Sequence, residues 1–182
     1  MFGYSISPVY SYPKNSQTYL NLGNLFVILR KYNEAKKSFD KAISLNKNYA
    51  EAYSNRGELF QLYLKDIESA IKDYEEALKF NKKLKYVYGK LVHAKMHIND
   101  WDKFNVYIDD LKKGINLGEK IIQPFPLLSL IDEPKLHHET AKQYSNEISF
   151  KSLKDKVEPE TNNTKIKIGY FSARFYNCAT LH

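Results

Sequence analysis

The sequence predicts an all-α fold, a solenoid of helical hairpins, followed by a short linker and one orphan β-strand at the C-terminus. Three observations predict it. Small and aromatic residues recur with a period of 34–35 residues. Within each period the apolar residues sit at helical spacing, three and four apart. Near the C-terminus, Ile166, Ile168 and Tyr170 alternate with other residues, as a strand requires.

The repeat is read directly. Tyr19, Leu22-Gly23, Phe26, Ala35, Phe39 and Ala42 are followed by Tyr53, Gly57, Phe60, Ala70, Tyr74 and Ala77. The first half of the unit recurs at 34 residues and the second at 35, which places one inserted residue in the turn around Lys65-Asp66. Gly23 and Gly57 let a helix approach its partner closely, and Ala35 and Ala70 do so from the partner's side. The aromatics fill the remaining space. Each hairpin has an apolar face that it cannot bury alone, so the hairpins are expected to stack. The expected units are 16–49, 50–84 and a degenerate third, 85–118. The third begins at Tyr88 and Leu91, with Val92 in the glycine's place and Lys95 in the aromatic's. Its second helix is expected over Trp101–Ile115, with Asn99 and Asp100 as candidate caps. Residues 1–15 are expected to be irregular, because Pro8 would break a helix there. A junction with a helix over Lys135–Asn146 is expected in 119–150, and a lysine-rich linker in 151–164.

Composition narrows the function. With 182 residues, 43% hydrophobic and 14% aromatic, the chain can bury a core. No apolar run reaches the roughly 20 residues that span a bilayer. Met1–Pro13 lacks an apolar signal segment, so a cytoplasmic location is expected. For that reason Asn162-Asn163-Thr164 is read as a chance match to a glycosylation site. Cys178 is the only cysteine, which excludes an intramolecular disulfide. The net charge of +7 rests on lysines that alternate with acids, as in Lys72-Asp73-Tyr74-Glu75-Glu76, with only three arginines. That pattern describes solvated helix faces rather than a phosphate-binding stripe, so a nucleic-acid partner is not expected.

The candidate binding residues lie off the apolar stripe of the first helices. Asn21 and Asn55 occupy the same repeat position, and Lys90 is the third rung. With Asn24 and Glu58 they make the candidate peptide-binding set. An asparagine amide both donates and accepts, so such a ladder can hold the backbone of an extended polypeptide without reading its sequence. His93 and His97 have helical i, i+4 spacing, but they lack the glutamate of the H-E-x-x-H motif and a third ligand, and are read as structural. His137 and His138 are adjacent and cannot easily chelate one ion. No metal site is expected, no phosphate-binding loop occurs, and Cys178 has no base beside it except Arg174.

The periodic residues of 16–49 and 50–84 resemble the tetratricopeptide repeat. Tyr19 and Tyr53 stand in place of its tryptophan, Arg56 in place of a leucine, and Lys47 and Lys82 in place of its late proline. A second resemblance covers 86–136 and 165–182. The run from Leu91 to Trp101, then Pro124-Phe125-Pro126-Leu127-Leu128, then Lys165-Ile166-Lys167-Ile168-Gly169-Tyr170-Phe171-Ser172, looks like the junction and first catalytic strand of the O-linked N-acetylglucosamine transferase and SPINDLY-like family. It implies a substrate-holding arm whose asparagine ladder carries the acceptor polypeptide. The family's Ser-x-Asp-Phe-x-x-His reads Ser172-Ala173-Arg174-Phe175-Tyr176-Asn177-Cys178 here. Only His182 matches a family position in this stretch, so no catalytic set is complete. A doubly wound donor-binding body does not fit into the 18 residues from Lys165. The chain is therefore expected to be a truncated, inactive part of such an enzyme, with no cofactor of its own. The UDP-sugar donor would belong to the full-length family member. The competing expectation is a free-standing interaction module that binds a partner polypeptide in its repeat groove.

Overall fold

The computed structural model describes residues 15–148. The expected linker, the expected strand, Arg174, Cys178 and His182 all lie outside them. The described residues form eight helices: α1 (Ser16–Ile28), α2 (Tyr32–Leu45), α3 (Ala50–Leu59), α4 (Ile67–Phe80), α5 (Val87–His97), α6 (Phe104–Asn116), α7 (Pro124–Leu128) and α8 (Pro134–Ile148). The all-helical hairpin architecture expected of this region is present.

The α1–α2 hairpin closes as the small residues require. A side chain at Gly23 would place its Cβ 2.3 Å from the Phe39 ring, so only glycine admits that ring. Phe39, Ala35 and Ala42 are fully buried with Leu20, Ala52 and Leu59. The α3–α4 hairpin repeats the arrangement: a Cβ at Gly57 would lie 2.9 Å from the Tyr74 ring, and Ala70 and Ala77 are fully buried. Tyr74 also donates from its hydroxyl to Gln61 Oε1 at 2.8 Å, which satisfies the one polar atom that the ring carries inward. Asn15 caps α1 by accepting from the Gln17 N–H, and Asp66 caps α4 by accepting from the Ser69 N–H.

The inserted residue lies at a different place from the one expected. The turns match in both hairpins: Arg30 and Lys65 each adopt a left-handed conformation two residues before the second helix begins. The extra residue is instead absorbed at the end of α3, where Phe60–Leu64 widens into a π-helical turn. The backbone hydrogen bonds record the change. The N–H of Lys31 reaches back five residues to the Phe26 carbonyl, and the N–H of Asp66 reaches back six, to that of Phe60. One residue added inside a helix costs one distorted turn, whereas a longer loop would move α4 off its partner.

The third unit departs from its expectation in two ways. Its second helix starts at Phe104 rather than Trp101. Asp100 accepts from the Asp102 N–H at 3.2 Å, closing a turn rather than capping a helix, and Lys103 is left-handed, which the helix cannot include. The unit also does not close as the first two hairpins do: the α5 and α6 backbones stand apart, bridged by Tyr88, which donates to Asp110 at 2.7 Å and meets the Tyr107 ring edge-on. The space between them is filled by Ile122, Leu127, Leu130, Ile131 and Leu136 from the segment after α6, packed with Val92, Leu111 and Ile115. Gly89 marks the close approach here, where a Cβ would lie 2.5 Å from Ile122. The carbonyls of Lys120 and Ile121 accept from the N–H groups of Tyr86 and Gly89, satisfying donors that the start of α5 would otherwise leave open.

Candidate peptide-binding groove

The first helices of the three units, α1, α3 and α5, present the candidate residues. Asn24 is exposed on α1, and Asn55 on α3 donates from Nδ2 to its Oδ1 at 2.9 Å. Lys90 on α5 donates to the Glu58 carboxylate on α3. The rungs therefore run diagonally, joining each residue to one 31 or 32 positions further along. Asn55 pairs with Asn24 and not with Asn21. Asn21 accepts instead from Gln17 Nε2 within its own helix, at 2.9 Å, and Gln17 in turn accepts from the Tyr49 hydroxyl. The four residues Asn24, Asn55, Glu58 and Lys90 are brought together on one face, while Asn21 sits one turn away toward the N-terminus.

Beside the amide pair lies a cavity of about 220 Å³ between α1 and α3. Asn24, Asn55 and Glu58 form its polar side. Val27, Ile28, Leu59, Tyr63 and the floor residue Phe39 form its apolar side. Ile28 is 77% exposed, so its side chain serves the cavity rather than the core. Tyr63 is held at the cavity's edge by stacking on Tyr32, with ring centroids 4.6 Å apart. These apolar residues are absent from the sequence-based set, but the signal is in the sequence. Leu25-Phe26-Val27-Ile28-Leu29 is five apolar residues in a row, more than one face of a helix can bury.

The groove wall is braced from behind. Arg56, also on α3, donates from Nε and Nη2 to both carboxylate oxygens of Asp73 at 2.8 and 2.7 Å, and from Nη1 to Asp40 at 2.6 Å. It thus ties α3 to α4 and to the preceding hairpin. Burial opposes the guanidinium charge, but hydrogen bonds to Asp73 and then Asp40 outweigh it and hold the pKa above its ordinary value. Asp73 is almost fully buried, and desolvation pushes its carboxyl upward against the pull of Arg56.

His93 and His97 continue the α5 face beyond Lys90, their rings edge to face with centroids 4.6 Å apart. Burial, and then the neighbouring His97, hold His93 below the ordinary imidazole range. Among the described residues no group of three or more His, Cys, Asp or Glu could hold a metal ion. His137 is half-buried with Nε2 2.6 Å from the Ile131 carbonyl, while its neighbour His138 is exposed. Among the described residues no helix is long and apolar enough to cross a membrane.

Two family models match the hairpins. One, described as TPR repeat, matches residues 23–63, and the other, described as tetratricopeptide repeat, matches residues 50–84. Residues 23–84 are tetratricopeptide repeats. Curated proteins are similar over part of the chain. The chain is 41% identical over 69 residues to RNA polymerase II-associated protein 3 of Xenopus tropicalis, covering 38% of this chain and 10% of that protein. It is 30% identical over 134 residues to a TPR repeat-containing protein of Methanocaldococcus jannaschii, covering 69% and 23%. It is 23% identical over 133 residues to the mitochondrial import receptor subunit TOM70 of Rattus norvegicus, covering 73% and 21%. The chain thus spans less than a quarter of the length of each of these relatives. Among solved structures, it resembles YrrB, a TPR protein with an unusual peptide-binding site, at a TM-score of 0.50 and 18% identity, covering 59% of this chain and 53% of that one. It also resembles MamA at a TM-score of 0.50 and 22% identity, covering 74% and 77%. At these identities the likeness is one of fold. These matches fit an interaction module better than a glycosyltransferase arm. The resemblance of the 86–136 and 165–182 segments to the transferase family gains nothing from them.

Proposed function

We propose that the chain is a protein-interaction module that holds an extended polypeptide in the groove formed by α1, α3 and α5. The observation that carries this reading is the Asn24–Asn55 amide pair at the edge of the apolar cavity. Each amide spends one group on the other, and together they keep a free donor and a free acceptor for a peptide backbone. The adjoining cavity takes one apolar side chain, so a backbone clamp and a side-chain anchor lie next to each other. The tetratricopeptide repeat itself supports a polypeptide partner, as does a solved relative in fold that carries a peptide-binding site.

The test selects displayed random peptides on the full chain and measures their binding by fluorescence anisotropy. The double variant Asn24→Ala, Asn55→Ala should weaken the selected peptides by roughly tenfold, the loss expected from about two hydrogen bonds. Its circular dichroism melt should be unchanged, because neither side chain belongs to a core cluster. Full retention of binding by that variant rejects the groove as the site.

A further inference from the structure

A second cavity, of about 270 Å³, opens at the turn between α4 and α5 and shares no lining residue with the groove cavity. The chain there runs Asn81-Lys82-Lys83-Leu84-Lys85, and Lys120 enters from the segment after α6. Some lysines of the described residues meet acids one to one, as in Lys36–Asp40, Lys79–Glu76 and Lys112–Glu133. At this cavity the acids run short. Glu147, from the last turn of α8, accepts from Lys85 at 2.7 Å and from Lys120 at 2.9 Å on one oxygen, and from the Tyr86 hydroxyl on the other. Lys82 and Lys83 are exposed and make no ion pair among the described residues. Glu119 is the one acid that lines the cavity itself. Four lysines of the lining thus stand against Glu119 and the Glu147 that reaches Lys85 and Lys120 from α8, leaving two positive charges uncompensated.

We infer that this cavity binds a phosphoryl dianion, with Lys82 and Lys83 as its own cations and Lys85 and Lys120 shared with Glu147. A phosphoryl group carries about −1.5 to −2 charge near neutral pH and three strong acceptor oxygens, which matches the uncompensated charge. The cluster already takes one oxyanion, because a single Glu147 carboxylate satisfies two lysines and a phenol. A second anion competes with it for Lys85 and Lys120, so binding loosens the last turn of α8. Free phosphate and a phosphorylated side chain of a partner offer the same chemistry.

The experiment follows amide resonances of the full chain at constant ionic strength during titration with inorganic phosphate, with a short phosphoserine peptide, and with the same peptide unphosphorylated. Saturable shifts confined to residues 82–85, 119–121 and the last turn of α8, 145–148, are expected for the two phosphorylated probes. The exposed double variant Lys82→Ala, Lys83→Ala should weaken them about tenfold, given the strength of charge-assisted hydrogen bonds. An equally exposed control pair on α2, Lys37→Ala with Lys41→Ala, should leave them unchanged. Glu147→Gln should tighten them several-fold by releasing Lys85 and Lys120. Tighter binding of the peptide than of phosphate assigns a phosphorylated partner, and equal binding assigns free phosphate. Shifts scattered over lysines throughout the chain, equal affinity in the Lys82, Lys83 variant, or equal binding of the unphosphorylated peptide would overturn the inference.

Discussion

The two closed hairpins and the splayed third unit are built from related sequence and reach different structures. In α1–α2 and α3–α4, a glycine on the first helix receives an aromatic ring from the second, Phe39 on Gly23 and Tyr74 on Gly57. In the third unit Val92 fills the glycine's place, and Gly89 accommodates Ile122 from beyond α6. The lesson is that closure depends on one residue pair per hairpin. Where the small residue is lost, helices of 11 and 13 residues still form, but their backbones part, and later chain segments fill the gap. The segment carrying α7 and α8 packs onto the third unit, with Tyr86 and Tyr144 in edge contact at 5.9 Å and Gln143 donating to the Gly118 carbonyl.

Four experiments break or sharpen that contrast. The largest effect is expected from Phe39→Ala, which empties the joint of the first hairpin and should cost about 3–5 kcal/mol in denaturant unfolding. A loss below about 1 kcal/mol would mean that the ring does not close the hairpin. Arg56→Ala leaves Asp73 buried without its bidentate partner and should cost about 3 kcal/mol. The double variant Arg56→Leu, Asp73→Asn should recover much of that loss, which separates the cost of an orphaned charge from lost packing. Ile122→Ala should cost roughly 2–3 kcal/mol, with hydrogen exchange rising in α5 to α8 while α1 and α2 stay protected. Uniform deprotection would instead show that the third unit unfolds together with the repeats.

The smallest effect is a pH dependence confined to the third unit. Lys85, then Tyr86 and Lys120, hold the Glu147 carboxyl down at about 2 by donating hydrogen bonds to its ionised form. A carboxyl with a lowered folded-state pKa stabilises the fold above its unfolded value, and that contribution is lost as pH falls through the folded value. The docking of α8 should therefore weaken between about pH 4.5 and 2, followed by amide resonances of residues 134–147. Glu147→Gln should abolish that dependence, and no change between the two proteins would exclude the ion cluster as its cause.

Much of the repeat was legible because its signal is local and redundant. Period, small residues and aromatics all point to the same two hairpins, and the family matches cover them from residue 23 to residue 84. The π-turn at Phe60–Leu64 was half legible. The 34-to-35 offset reveals an extra residue, but whether a turn or a helix end absorbs it depends on which distortion keeps α4 seated, and that is a tertiary matter. That Asn24, Asn55, Glu58 and Lys90 lie off the apolar stripe was legible as residue types at helical spacing. The diagonal pairing was not, because it depends on the stagger between neighbouring helices, which no single helix encodes.

The sequence by itself determined the helices of the first two units, their hairpin pairing in 16–80 and the face that carries the polar candidates. Periodicity and residue size act within one helix or between adjacent ones, so both can be read along the chain. The tertiary structure alone decided that the third hairpin stays open, that Asn55 meets Asn24, and that Lys120 and Glu147 arrive beside Lys85. Those groups come together across 27 to 62 positions of sequence, and contacts at that separation depend on how whole helices pack rather than on any local pattern.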